Sequence, residues 1–272
     1  MKTFCILGDE RSFRSKSPVI FSAVLKRVGI RGVYVPFKVD KGQIGPAMQS
    51  LRILNIDGAN IAVPYKETVI PHLDILSEGA NIIGAVNTVV RNGETLKGYN
   101  TNAIGFMDTL EEVGFDVAGK TAVVFGTGGI AKAVVFILNW LRAESILVAG
   151  RNENSISGIV NKIGGIPKPL QTFNDAPVSA NIVVNATSVS SPDESPELAE
   201  LVDRLDIRDC EVLMDVNYGR EVNFWESKAR EKGIRFLDGL SVLAHQARRS
   251  FSLWTRIDVE VEEFRKALEK DL

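Results

Sequence analysis

The sequence predicts an α/β protein of two domains, one with a mixed sheet and one with a doubly wound parallel sheet. Three observations support this prediction. Apolar strands and helices alternate at the start of the chain, an Asn-Gly hairpin signal interrupts them, and a second alternating series begins at Thr121. With 272 residues, 45% of them hydrophobic, the chain is long enough for two cores.

The first domain is predicted to open with a β-α-β-α-β series. Its strands are expected at 2–7, 33–39 and 58–63, where apolar residues alternate or run together, with helical spacing between them. Ser17 is expected to cap the first helix, with Pro18 in its first turn. This alternation of strands and helices predicts parallel strands.

A hairpin and a connecting helix follow. The strands 86–90 and 95–99 flank Asn92-Gly93, a strong signal for a tight turn, so the first sheet should be mixed. The next helix, 101–113, leads into the second series. We therefore place a domain boundary at its start.

The second domain should contain five strands separated by helices, which predicts a doubly wound sheet. The strands are expected at 121–125, 145–149, 181–184, 212–216 and 234–237, and helices at 128–141, 155–163 and 224–232. Helices at 240–254 and 259–270 have no strand left to cover there, so they should return to the first domain. The predicted domains are 1–102 with 239–272, and 103–238.

A glycine-rich turn lies between the first strand and helix of the second series and indicates a dinucleotide site. Glycine permits a tight turn and lets backbone N–H groups approach a pyrophosphate at a helix N-terminus. The residues of this Rossmann-type turn are Gly126, Thr127, Gly128, Gly129, Ile130 and Ala131. Arg151, after the next strand, favours NADP because a guanidinium can bind a 2′-phosphate; the alternative is a solvated loop arginine.

Composition excludes several other functions. A net charge of -2, with charged residues dispersed, makes nucleic acid a poor partner. The apolar stretch 121–141 contains glycines and Lys132, so a buried strand, turn and helix explain it better than a membrane span. Cys5 and Cys210 are too few for a disulfide framework or a cysteine-rich metal site, and we expect a cytoplasmic protein without a metal.

The three tryptophans fall on helical faces and are expected in cores, namely Trp140, Trp225 and Trp254.

A series of polar motifs resembles the shikimate dehydrogenase family along nearly the whole chain. In the family's order, the sequence has Ser15-Lys16-Ser17-Pro18, Pro64-Tyr65-Lys66, Gly84 to Thr88, Gly98 to Phe106, the glycine-rich turn, Asn185-Ala186-Thr187, Asp215 with Tyr218, and Asp238-Gly239-Leu240 with Gln246. Each motif alone is weak, but the ordered series is highly specific.

The resemblance implies an NADP-dependent oxidoreductase of the shikimate pathway of aromatic amino acid biosynthesis, reducing 3-dehydroshikimate to shikimate. It implies that Ser15, Ser17 and Tyr218 bind the substrate carboxylate, while Asn87 and Gln246 hold ring hydroxyls. It places Asn185, Ala186, Thr187 and Gly239 at the cofactor, together with the glycine-rich turn. The resemblance leaves a monomer or a homodimer open.

Lys66 matches the family's catalytic lysine, whereas Asn102 stands where the family has a catalytic aspartate. An amide does not exchange protons in this pH range, so Lys66 remains as the titratable catalytic group. Ala62 also replaces a threonine that contacts a substrate hydroxyl, Arg14 replaces a histidine, and Ser241 a glycine.

These departures leave alternative functions open. The chain is expected to act on shikimate, with activity impaired by Asn102, or on a related cyclic acid such as quinate or aminoshikimate. A protein that binds its ligands without turnover is a further alternative. Asn102 would also fit an Asp→Asn replacement made to trap a complex.

Overall fold

The structure, a computed structural model, describes residues 1–174 and 177–269. The chain forms two compact units, one made of Met1–Gly105 with Leu243–Leu272 and the other of Phe106–Val242. In the described part of the chain, no helix is both long and apolar enough to cross a membrane.

The predicted strands and helices form in the predicted order, together with further short elements that were not predicted. The strands are β1 (Lys2–Gly8), β2 (Gly32–Lys38), β3 (Gly58–Ile61), β4 (Ile75–Leu76), β5 (Thr88–Asn92), β6 (Thr95–Tyr99), β7 (Thr121–Phe125), β8 (Ser145–Gly150), β9 (Ile166–Pro169), β10 (Val178–Ser179), β11 (Ile182–Asn185), β12 (Ile207–Arg208), β13 (Val212–Asp215) and β14 (Arg235–Leu237). The helices are α1 (Ser17–Arg27), α2 (Ile44–Ile53), α3 (Glu78–Ile83), α4 (Thr101–Glu112), α5 (Gly129–Trp140), α6 (Glu153–Ile163), α7 (Pro196–Arg204), α8 (Phe224–Lys232), α9 (Gly239–Thr255) and α10 (Val261–Glu269). Short 3-10 helices lie at Glu10–Arg14, Ile70–His72 and Leu170–Asn174.

The first unit has the predicted mixed sheet, with strand order β2-β1-β3-β5-β6-β4. β1 runs parallel to β2 and β3, whereas β5 is antiparallel to both β3 and β6. Asn60 of β3 pairs with Thr88, which pairs with Tyr99 of β6. The ends of β1, β3 and β6 and the start of β5 therefore meet at one edge, which we call the carboxyl edge of the first sheet.

The two C-terminal helices pack on the first unit, in agreement with the expectation from the sequence. Trp254 of α9 stacks on Phe4 at 4.8 Å between ring centroids and donates from Nε1 to Val89 O at 2.9 Å. A Cβ on Gly58 would overlap its indole ring, so this β3 position must be glycine. Phe264 of α10 is fully buried. The predicted end of α10, Lys270, lies outside the described residues.

The second unit has an all-parallel main sheet with strand order β14-β13-β11-β7-β8-β9. Counted from β7 and read from β9, this is the order 3-2-1-4-5-6 of a Rossmann fold. Its core contains Phe125 and Trp225, whose ring centroids lie 4.9 Å apart. The predicted fold class is therefore confirmed.

Two local predictions are wrong. Lys16, not Ser17, is the N-cap residue of α1, and Ser17 is already helical; Ser15 Oγ instead accepts from Ser17 N at 3.2 Å.

Trp140 is 71% exposed at the end of α5, whereas Trp225 and Trp254 are buried as expected. The last residue of a helix can face solvent even when the helix is apolar. The residue type therefore did not predict the exposure of Trp140.

Candidate functional site

The carboxyl edge of the first sheet brings together four of the predicted site positions. Ser15 follows β1, Lys66 follows β3, Asn87 precedes β5 and Asn102 starts α4 after β6. Open α/β sheets bind ligands at this edge because side chains of several loops converge there. The strand order therefore explains why residues distant in sequence form one cluster.

Backbone hydrogen bonds hold the loops of this cluster together. Lys66 O accepts from Val86 N at 2.7 Å, and Asn87 O accepts from Ile61 N at 2.9 Å. Tyr65, beside Lys66, is buried and donates from its hydroxyl to Val39 O at 2.7 Å. The segment that carries Lys66 is thus held by residues that precede β5 and follow β2.

Gly8 closes the same edge at the end of β1. A Cβ on Gly8 would lie 2.8 Å from Ala62 Cβ and 3.3 Å from Ser12 Cβ, both too close for a side chain to fit without movement. The small residues at 8 and 62 therefore let β1 and the loop after β3 approach each other.

Asn87 is the centre of a buried amide network. Its Oδ1 accepts from Thr101 N at 2.6 Å. Its Nδ2 lies 2.9 Å from Thr101 Oγ1, 3.0 Å from Gln246 Oε1 and 3.2 Å from Asn102 Oδ1. The predicted residues Asn87, Asn102 and Gln246 are therefore in direct contact within the first unit.

A group of three buried hydroxyls supports this network, and the sequence analysis missed it. Thr88 Oγ1 lies 2.8 Å from Ser250 Oγ, and Thr101 Oγ1 lies 3.0 Å from each of the other two. Asn60 Nδ2 donates to Thr88 Oγ1 at 3.1 Å. The helical spacing of Gln246 and Ser250, four residues apart, was the available signal, since such residues share a helix face.

Lys66 is the titratable group of the cluster. The side chain is half-buried, and burial lowers the pKa of Lys66 from its ordinary 10.5 to about 8. Desolvation acts in this direction because it disfavours the ammonium form. A lysine with this pKa can exchange a proton near neutral pH.

Ser15 and Ser17 lie at the start of α1 but differ in exposure. Ser17 is buried at 4% exposure, whereas Ser15 is half-buried. No side chain caps the helix at Lys16. The start of α1 thus places two hydroxyls beside the positive end of a helix, an arrangement suited to an anion.

The glycine-rich turn of the second unit has the geometry that a dinucleotide requires. Gly126 has φ +121°, and a Cβ there would lie 2.7 Å from Ala186 O. Gly128 precedes α5 without a side-chain cap, and a Cβ on it would meet nothing within 4 Å. The first turn of α5 therefore has open space and N–H groups for a pyrophosphate, so these residues fit a dinucleotide such as NADP.

The neighbouring predicted cofactor residues differ in what they can do. Asn185 is fully buried, and its amide bonds to Asp215 Oδ1 at 2.9 Å, Val189 O at 2.9 Å and Thr187 N at 3.1 Å. Burial raises the pKa of Asp215, while donors from Ser190, Asn217, Asn223 and Asn185 oppose this shift. Asn185 thus shapes the loop containing Ala186 and Thr187 from inside the protein.

The other second-unit residues lie around the ends of β8, β13 and β14. Arg151 is exposed directly after β8. Tyr218 lines a polar cavity of about 350 Å³, together with Asn217, Asp238 and Ser241. Gly239 donates from its backbone to Asn217 O at 3.0 Å, and a Cβ there would overlap Val216 O.

Over the described residues, no group of His, Cys, Asp and Glu is arranged to hold a metal.

Two family models match the chain, one within each of the two units. The shikimate dehydrogenase substrate binding domain model matches residues 7–89, and the shikimate / quinate 5-dehydrogenase model matches residues 109–236. The chain belongs to the shikimate dehydrogenase family. The first match contains Ser15, Lys66 and Asn87, and the second contains the glycine-rich turn. The family resemblance of the sequence motifs is therefore confirmed.

Relatives and solved structures of this family match nearly the whole chain. A shikimate dehydrogenase (NADP(+)) of Caldanaerobacter subterraneus is 35% identical over 266 residues, covering 93% of this chain and 91% of that protein. The structure of Thermus thermophilus shikimate 5-dehydrogenase in complex with NADP(H) and shikimate has a TM-score of 0.87 and 30% identity, and each chain is fully covered. Quinate dehydrogenase of Corynebacterium glutamicum in complex with NAD has a TM-score of 0.86 and 26% identity, covering 99% of both chains.

Proposed function

We propose that this protein is an NADP-dependent dehydrogenase that interconverts 3-dehydroshikimate and shikimate. The observation that carries the proposal is Lys66, which has a pKa of about 8 and lies at the carboxyl edge beside the Asn87 network. The Caldanaerobacter subterraneus relative is a shikimate dehydrogenase (NADP(+)), and the Thermus thermophilus structure is a complex with NADP(H) and shikimate. The first unit would bind substrate and the second NADP, with functional domains at 1–102 with 239–272 and at 103–238.

The residues of the first unit have separate tasks in this proposal. Ser15 and Ser17 would bind the substrate carboxylate at the start of α1. Asn87 and Gln246 would hold ring hydroxyls, because amides both donate and accept. Lys66 would donate its Nζ proton to the carbonyl oxygen as the carbon accepts hydride, and would take the proton back in the oxidation.

The second unit would hold NADP through the glycine-rich turn, Ala186, Thr187 and Gly239. When bound, NADPH supplies the hydride that the carbonyl carbon accepts. Arg151 would contact the 2′-phosphate, since it is exposed after β8 where the ribose is recognised in Rossmann folds. We further propose a cytoplasmic location, which the low cysteine content supports, and a monomer or a homodimer.

The direct test is an activity assay with the purified full chain. Oxidation of NADPH by 3-dehydroshikimate should be measurable, and shikimate should reduce NADP. Binding of both ligands with no hydride transfer would instead support the alternative that Asn102 motivates, a ligand-binding protein. Preferred turnover of quinate would support the alternative motivated by Ala62, which offers no hydroxyl to the substrate.

The two reaction directions should show opposite pH dependence. Reduction needs the ammonium form of Lys66, so its turnover number should fall as pH rises through about 8. Oxidation needs the neutral amine, so its turnover number should rise over the same range. Turnover measured in both directions from about pH 6 to about pH 10 tests this. Parallel curves in the two directions would contradict the assignment of Lys66.

Arg151→Ala is expected to weaken the binding of NADP but not of NAD. Loss of a charge-assisted contact to the 2′-phosphate should raise the KM for NADP by about 10- to 100-fold. The measurement is the KM for each cofactor, with Arg204→Ala on the exposed face of α7 as the matched control. An equal rise for NAD would show that Arg151 does not recognise the 2′-phosphate.

A further inference from the structure

The amide orientations around Asn102 are fixed by a chain of hydrogen bonds that starts at the backbone. Thr101 N–H can only donate, and it lies 2.6 Å from Asn87 Oδ1. The oxygen of Asn87 must therefore face Thr101 N, so its NH₂ group faces Asn102 Oδ1 at 3.2 Å, as well as the nearer Thr101 Oγ1 and Gln246 Oε1. Turning the Asn102 amide over would place two NH₂ groups against each other.

This orientation leaves the Asn102 NH₂ group unsatisfied. Asn102 Nδ2 is buried and has no acceptor among the described residues, although the side chain as a whole is half-buried. An unpaired buried donor is costly, so a ligand atom that accepts from it is favoured. An aspartate here could use the same Asn87 bond, but its second oxygen would be an acceptor.

We propose that Asn102 reverses the hydrogen-bonding polarity of this position, so that the site selects an acceptor oxygen, the ketone of the substrate, over the corresponding alcohol. The inference rests on the proposed function, which supplies the ketone and alcohol pair. A ketone oxygen accepts hydrogen bonds and carries no proton. An alcohol also carries an O–H that needs an acceptor, and Asn102 does not offer one through Nδ2.

Lys66 has the same polarity when it is protonated. An ammonium group has three donors and no acceptor. Below a pH of about 8, where Lys66 is protonated, both Lys66 and Asn102 Nδ2 are therefore donors only. The bound alcohol would keep an unsatisfied O–H, whereas the bound ketone would satisfy both groups. This distinguishes the chain from a site with a carboxylate at 102, where the alcohol can donate to the carboxylate.

The test is binding in complexes that cannot react. Calorimetry at pH 7 would measure the Kd of 3-dehydroshikimate with NADP⁺ bound and of shikimate with NADPH bound. The ratio of the two Kd values is compared among the unmodified chain, Asn102→Asp and Asn102→Ala. The matched control is Asn92→Asp, which adds the same charge on the exposed hairpin of the first unit.

We expect Asn102→Asp to shift the ratio toward shikimate by about 5- to 150-fold, as expected for one buried hydrogen-bonding group. Asn102→Ala should weaken binding of the ketone more than that of the alcohol, while Asn92→Asp should leave the ratio unchanged. An unchanged ratio in Asn102→Asp, or an equal shift in Asn92→Asp, would overturn this inference and leave the proposed function intact. Failure of both acids to bind every variant would overturn the proposed function as well.

Discussion

Replacing Lys66 by alanine is expected to lower the turnover number for 3-dehydroshikimate reduction by about 10²- to 10⁴-fold. The reason is the position of Lys66 at the carboxyl edge and the pKa of about 8 that burial gives it. Asn102 provides no second proton-exchanging group. Steady-state turnover of Lys66→Ala, compared with Lys41→Ala on an exposed turn, measures the effect.

The same replacement should not weaken the fold at neutral pH. The pKa of Lys66 is lowered in the folded chain from an ordinary value of 10.5, so its protonated form opposes folding. That penalty is present below about pH 8 and disappears as pH rises from there toward the ordinary pKa. A large loss of activity with retained stability would therefore assign Lys66 to the chemistry, whereas unchanged turnover would contradict that role.

Trp254→Ala is expected to lower the free energy of unfolding by about 3–5 kcal/mol. The indole lies against Phe4, with Phe21 at 5.0 Å between ring centroids, and its Nε1 bonds to Val89 O. Removing it leaves a cavity against Gly58 and an unpaired carbonyl. Urea unfolding of the full chain measures this loss.

Trp140→Ala is the matched control for that experiment. Trp140 is 71% exposed at the end of α5, so its removal should change the free energy of unfolding by no more than about 0.5 kcal/mol. Equal losses in the free energy of unfolding for the two variants would contradict this prediction. They would mean that burial of Trp254 against β3 does not stabilise the packing of α9 on the first unit.

Elements with strong periodicity and clear end signals could be predicted from the sequence. Thr121–Phe125 and Phe224–Lys232 have the predicted bounds, and Gly233 ends α8 at φ +66° as a left-handed C-cap. The hairpin β5–β6 also forms, with Gly93 at φ +60° in its turn. These signals are local, so a single sequence contains them.

Elements that depend on tertiary contacts were not predicted. β4 has only the two residues Ile75–Leu76 and exists because it pairs with β6. Helices α3 and α7 are short or polar, although Ser77 and Ser195 cap them through their side chains. Both caps were readable, and Leu198, Leu201 and Val202 recur at helical spacing, so α7 could have been predicted, whereas the six residues of α3 are too few to show a period.

The candidate site was predictable in its residue types but not in its connections. Motif order placed Asn87, Asn102 and Gln246 in one site, and the structure brings them together. Sequence spacing could not show that Ser250 and Thr88 lie 2.8 Å apart, because they are distant along the chain. It also could not show that the amide of Asn185 is bonded inside the protein.

The close approach at the end of β1 couples two positions at the carboxyl edge of the first sheet, 8 and 62, in any series of replacements. Position 8 tolerates only glycine while a side chain occupies position 62, because even the Ala62 methyl lies 2.8 Å from a Cβ placed on Gly8. A residue larger than alanine at 62 would need the same glycine at 8, so the effects of replacing both positions should not be the sum of the two single effects.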